Sequence, residues 1–260
     1  MTSFLSLYQK SLLAGVLTAI VTAIMGIHVV FRRMAFYSDA IAHVAFAAAA
    51  IGVTLGTSSF LSALVLSVVV SLVLGSVSKK NIGEDTAIGV LFSLTMAVGI
   101  VLFSVSKKQR SLMSYLFGDV LAITNQDLLY LLLVTGSVII FDLLFRDILV
   151  QFTFDEDFAR LMHPKVDLVY RLFLAILAVT VVVAVQTVGV ILVSAFLIIP
   201  AATATILLSD YRRAFLLAPV LSSASVVAGL LLSLQIDVPP GALIVLVQGA
   251  VFFTTLFLRR

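Results

Sequence analysis

Phe36-Tyr-Ser-Asp-Ala-Ile-Ala-His-Val-Ala-Phe-Ala-Ala-Ala-Ala-Ile-Gly52 is an almost wholly apolar stretch that nonetheless carries Asp39 and His43. On a helix these two residues lie four apart and share one face. A carboxylate and an imidazole on one face can both contact a single divalent metal ion. If that helix crosses a membrane, an Asp at its centre carries an insertion penalty of roughly 2.5–3.5 kcal/mol. Polar groups kept at such a cost face protein or water and mark functional positions. A second reading stays open at this point: Ser38 or Asp39 caps the helix near the interface, and His43 bonds a neighbouring helix.

The rest of the chain places this stretch in a membrane. Of 260 residues, 62% are hydrophobic and only 11% charged, with a mean hydropathy of +1.24. Soluble domains are nearer 25% charged, so this chain has too little polar surface to cover a water-soluble globule. The composition predicts an all-α, polytopic membrane protein with residues 1–260 as one transmembrane domain. Cysteine is absent, which excludes thiolate metal sites. At about 20 apolar residues per span, candidates fall at 11–31, 36–55, 58–77, 86–104, 127–149, 168–187, 190–208, 214–234 and 240–258. Eight or nine of these are expected to cross, and the first, too long for a signal-peptide core, is expected to be retained.

The positive-inside rule orients the set. With 150–167 in the cytoplasm, Arg32-Arg33, Lys79-Lys80, Arg212-Arg213 and Arg259-Arg260 also fall inside, and the N-terminus falls outside. Lys107, Lys108 and Arg110 land on the wrong side, so 105–126 either folds back partly into the membrane or hides a miscounted span.

The loop QFTFDEDFARLMHPKVD (151–167) has a different character. Thr153 and Glu156 have the spacing of a capping box. Asp155, Glu156 and Asp157 fill a first turn, Arg160 follows, and Pro164 ends the helix. A short helix at about 154–163 results, too short to cross, with Phe154, Phe158 and Leu161 along one apolar edge. It either lies on the membrane or docks into a cytoplasmic partner through Phe158 and Leu161. His28, alone late in the first span, and His163, in the loop, read as a packing residue and a surface residue. Ser93 and Thr95 either bond back to their own helix or line a pathway. Asp142 and Arg146 are expected to pair. In the run from Val188 to Ala204, Pro200 removes a backbone hydrogen bond and bends the helix. Ala201, Ala202 and Ala204 after it allow close helix approach.

Taken together, the Arg32-Arg33 turn leading to SDAIAHVAF (38–46), EDTAIGVLFS (84–93), YLFGDVLAIT (115–124), FDEDFAR (154–160), VGVILVSAFLIIPAATA (188–204) and the PPG turn (239–241) resemble one family. It is the permease subunit of the ABC importers for manganese, zinc and iron, and the resemblance runs in order over nearly the whole chain. It implies a homodimeric, type II importer-like permease in the bacterial plasma membrane, with ABC ATPase subunits below and an extracytoplasmic metal-binding protein above. It implies that Asp39 and His43 contact the transported metal, and that the helix carrying Asp155, Phe158, Arg160 and Leu161 couples to the ATPase. The Pro200-bent span would line the dimer axis or lie directly behind it. No permanent cofactor and no nucleic-acid partner are expected. The chain has no GxxxxGK[ST] phosphate loop, so ATP would be handled by another chain.

YLFGDVL reads most like the zinc branch, whereas EDTAIGVLFS is at least as close to manganese members. Zinc is the expected cargo, with manganese or iron as the alternative. A secondary metal transporter would need several membrane-buried ionisable groups, but most acids here cluster at span ends. An intramembrane metalloprotease would carry HExxH or a similar set, which is absent from the chain.

Overall fold

A computed structural model describes residues 2–77, 84–105, 123–236 and 238–259. Among these residues the chain forms ten helices and no strand: α1 (Thr2–Phe31), α2 (Tyr37–Leu55), α3 (Ser59–Val77), α4 (Glu84–Val105), α5 (Asn125–Phe154), α6 (Glu156–Met162), α7 (Val166–Val188), α8 (Val190–Leu207), α9 (Tyr211–Ile236) and α10 (Pro240–Leu258). All nine candidate segments fall in helices. Seven of the helices are long and apolar enough to cross a membrane, and α4 and α8 contain the shorter apolar segments Thr86–Leu102 and Leu192–Leu207. The protein is therefore a polytopic helical membrane protein. The expectations for Lys79-Lys80, for Lys107, Lys108 and Arg110, for most of YLFGDVLAIT and for the fold-back of 105–126 lie outside the described residues.

The helices group into two compact units, each drawn from separate stretches of chain. One comprises Met1–Val30, Phe117–Ile140 and Val183–Arg260, the other Phe31–Leu116 and Phe141–Val182.

In the second unit α2 packs against α3 and α4. Its alanines make this possible, because small residues let helix backbones approach where lipid gives no hydrophobic drive. Ala45, Ala48 and Ala49 close on Ala63 of α3 and Val182 of α7, and Phe46 and Ala50 meet Leu102 of α4. Gly56 ends α2 in the left-handed conformation, and the N–H groups of Gly56 and Thr57 both reach the Gly52 carbonyl. Buried polar groups pin the helices: the Tyr37 hydroxyl meets Ser71 Oγ, and both donate to the Leu174 carbonyl, at 3.1 and 2.8 Å. Asp142 and Arg146 pair within α5, as expected, with Arg146 Nε donating at 2.8 Å.

In the first unit α8, α9 and α10 pack on one another, and α1 lies against α8. A Cβ on Gly26 would fall 1.9 Å from the Leu197 carbonyl oxygen and 3.3 Å from Ala201 Cβ. Ala201 and Ala204 are fully buried. Ala201 and Ala204 thus serve close packing inside the chain, whereas Ala202 is half-buried, and α8 continues through the proline to Leu207. A second internal proline, Pro219 in α9, was not anticipated. Gly26→Ala is expected to lose about 1–3 kcal/mol or more, because the obstacle is backbone and cannot rotate away. Thermal unfolding of the purified protein checks this, and an unchanged midpoint would mean that α1 and α8 separate freely.

Two helix starts differ from expectation. Thr153 does not form a capping box with Glu156; it lies inside α5 and donates to the Leu149 carbonyl at 2.8 Å. The cap of α6 is Asp155, whose side chain accepts the Phe158 N–H at 2.9 Å, so the helix begins at Glu156 rather than 154. A reciprocal box stands instead at the start of α5. There Thr124 donates its N–H and hydroxyl to Asp127 Oδ2 at 2.9 and 2.6 Å, and Asp127 N–H returns to Thr124 Oγ1 at 3.2 Å.

Candidate functional site

Asp39 and His43 sit on a helix that is buried over most of its length. Of the 19 residues of α2, 13 are buried, whereas Asp39 and His43 are both half-buried. They form the polar interruption of that helix, one turn apart. The helix begins at Tyr37, and its N-cap residue, Phe36, makes no side-chain cap bond. Instead the backbone closes the start, with the Tyr37 and Ala40 N–H groups reaching the Met34 and Phe36 carbonyls at 3.0 Å. Asp39 lies in the first turn, where the helix dipole favours a negative charge. His43 packs its ring edge-on against Phe92 of α4, 4.8 Å between centroids at 85°.

Among the described residues no three His, Cys, Asp or Glu side chains gather as a metal cage. Within α2 the pair supplies one carboxylate and one imidazole, one turn apart. Two ligands do not complete the coordination of a divalent ion.

The other histidines are accounted for by packing and local bonding. His28 is buried with its ring 4.8 Å from that of Phe215 in α9, and His163 Nε2 lies 3.1 Å from Gln151 Oε1. Ser93 and Thr95 bond back to the Gly89 and Leu91 carbonyls, at 3.0 and 2.8 Å.

On α6, the four residues singled out divide by task. Ala159 is the buried underside of the helix, while Phe158 and Leu161 are 50% and 82% exposed and Met162 beside them 59%. Asp155 caps the helix. Arg160 turns back to its seat, reaching Glu156 Oε2 at 3.2 Å and Asp167 Oδ1 at 3.6 Å. The exposed surface therefore carries an apolar edge of Phe158, Leu161 and Met162 beside the exposed Asp157, while Arg160 is held by its acidic neighbours. Sequence reasoning did not connect this helix to Arg32, which meets Glu156 Oε1 at 3.2 Å. The two are 124 residues apart, and nothing local signals the contact.

With this geometry in place, comparison with known proteins is informative. The profile of the ABC 3 transport family matches residues 5–259. A probable metal transport system membrane protein of Thermotoga maritima is 34% identical over 252 residues, covering 96% of this chain and 89% of that protein. The manganese transport system membrane protein MntC of Halalkalibacterium halodurans is 35% identical over 97% of this chain and 87% of its own. The solved structure of PsaBC from Streptococcus pneumoniae in complex with Fab superposes with a TM-score of 0.84 at 30% identity, covering 96% of this chain and 91% of that one.

Proposed function

The chain belongs to the ABC 3 transport family, and on that premise we propose that it is the transmembrane subunit of an ATP-driven importer whose cargo is manganese. It is a permease and not an enzyme. The observation that carries the metal is the 35% identity, over 97% of the chain, to a protein named for manganese transport. This replaces the zinc expected from YLFGDVL, a motif that lies outside the described residues. Ligand chemistry is neutral, since imidazole and carboxylate bind both ions and intrinsic affinity favours zinc. A sparse pair of ligands suits the weaker-binding ion, whose passage depends on release.

In this reading Asp39 and His43 touch the ion in transit. Two copies of the chain facing each other would offer up to four protein ligands. The exposed apolar edge of α6 supports a cytoplasmic ATPase seat, and an extracytoplasmic metal-binding protein would deliver the ion from the other side of a bacterial plasma membrane. The burial of Ala201 and Ala204 supports a place for α8 directly behind the dimer axis rather than on it. Both compact units are assembled from interleaved stretches of chain, which supports a single permease domain.

The test is ATP-dependent uptake into proteoliposomes holding the complete complex, with manganese and zinc supplied at equal free concentrations. Faster manganese entry is expected; faster zinc entry would reinstate the zinc assignment, and entry of neither would remove the importer reading.

A further inference from the structure

Arg32 follows α1 at the start of the turn into α2, and only 8% of its side chain is exposed. Its guanidinium carbon lies 4.4 Å from the centre of the Tyr170 ring and 5.0 Å from that of Phe152. Its Nη2 donates to Glu156 Oε1 at 3.2 Å. Glu156 is the first residue of α6, and its second oxygen accepts from Arg160 at 3.2 Å. Arg160 also approaches the Phe152 ring, at 5.5 Å. One carboxylate and one aromatic ring are thus each shared by two guanidinium groups, one on α6 and one on the α1–α2 turn.

The turn itself is constrained. Arg33 has φ +59°, a left-handed backbone that residues other than glycine adopt under strain. Met34 is buried; its sulfur receives the Tyr170 hydroxyl at 3.8 Å, and its carbonyl receives the Tyr37 N–H at 3.0 Å. Tyr37 opens α2, and Asp39 and His43 follow within two turns. An unbroken line of contacts therefore runs from α6 through Glu156, Phe152 and Tyr170 to Arg32, Met34 and the helix that bears the metal pair.

A basic residue serving only to orient the chain at the interface would extend its head towards water. Arg32 is instead enclosed between two rings and a carboxylate. Enclosing a charge is costly, and an apolar side chain would brace the turn at least as well. The planar, always-charged guanidinium is distinguished by holding stacking and ion pairing in one fixed geometry.

We propose that Arg32 is a positioning residue that carries movement of α6 into the α1–α2 turn and so sets the placement of Asp39 and His43. This rests on the reading of α6 as the ATPase seat. Continuity of contacts is not itself coupling, so the experiment reads manganese taken up per ATP hydrolysed, in the full complex in proteoliposomes. A role confined to stability changes yield and thermal midpoint but leaves that ratio alone.

Arg32→Gln is expected to keep ATP hydrolysis while uptake per ATP falls on the order of 2- to 30-fold. Arg32→Lys, which retains charge for Glu156 but not the planar stack, should fall in between. Glu156→Gln should lower the ratio as well, and combining it with Arg32→Gln should add little, because both break one network. If Arg32→Gln fails to assemble, Arg32→Lys decides. A wild-type ratio in the assembled Arg32 variants overturns the proposal. Phe158→Asp separates this failure from that of the docking reading. If it detaches the ATPase while the Arg32 variants couple normally, the docking seat stands and the strut does not. If the ATPase stays attached and coupled despite Phe158→Asp, the seat itself is wrong, and the strut loses its premise.

Discussion

Metal uptake is expected to collapse in Asp39→Asn and in His43→Gln, while both variants assemble with the ATPase and continue to hydrolyse ATP. The expectation follows from the number of ligands one chain can offer. With only a carboxylate and an imidazole available on α2, removing either halves the protein's share of the ion's coordination. Loss of a mere supporting hydrogen bond typically weakens a metal site about 10–100-fold, and loss of a direct ligand should exceed that. The substitutions are nearly isosteric, so folding should survive. Asp39→Asn removes the charge while keeping most of the side chain's ability to cap the helix. Glutamine at 43 keeps a hydrogen-bonding side chain beside Phe92 while deleting the imidazole. The measurement is manganese uptake beside ATPase activity of the same preparation. Wild-type uptake in both variants would end the assignment of this pair as metal contacts, leaving only the family membership.

Phe158→Asp should separate the permease from its ATPase. Phe158 and Leu161 are 50% and 82% exposed in the single chain, and covering both would contribute roughly 3–6 kcal/mol before the cost of association. An aspartate in that patch removes half of the gain and adds a charge to be desolvated. The helix should outlast the change, because its cap is made to the backbone N–H of residue 158 and not to its side chain. Ala159, the buried anchor of α6, is also untouched. Copurification of the ATPase and ATP-driven uptake are the readouts. Their survival would show that α6 is a membrane-surface helix and that the ATPase attaches elsewhere.

Composition and local spacing alone determined the membrane class, the positions of the apolar helices, the short helix stopped before Pro164, the Asp142–Arg146 pair and the placing of Asp39 and His43 on one face. These are legible because span length is set by the bilayer and because neighbours at three and four residues are fixed by the helix itself. Tertiary structure decided what spacing cannot. The spacing of Thr153 and Glu156 suits a capping box, yet α5 runs on to Phe154, and Asp155 takes the cap. Gly26 is unremarkable in the sequence but fits directly against the Leu197 carbonyl. Arg32 looked like one more inside charge until its partners, from residue 152 to residue 170, closed around it. In helices apolar on nearly every side, hydrophobic periodicity no longer marks the inward face. Which faces meet, and so which distant residues share a charge, a ring or a carbonyl, is therefore settled only when the helices pack.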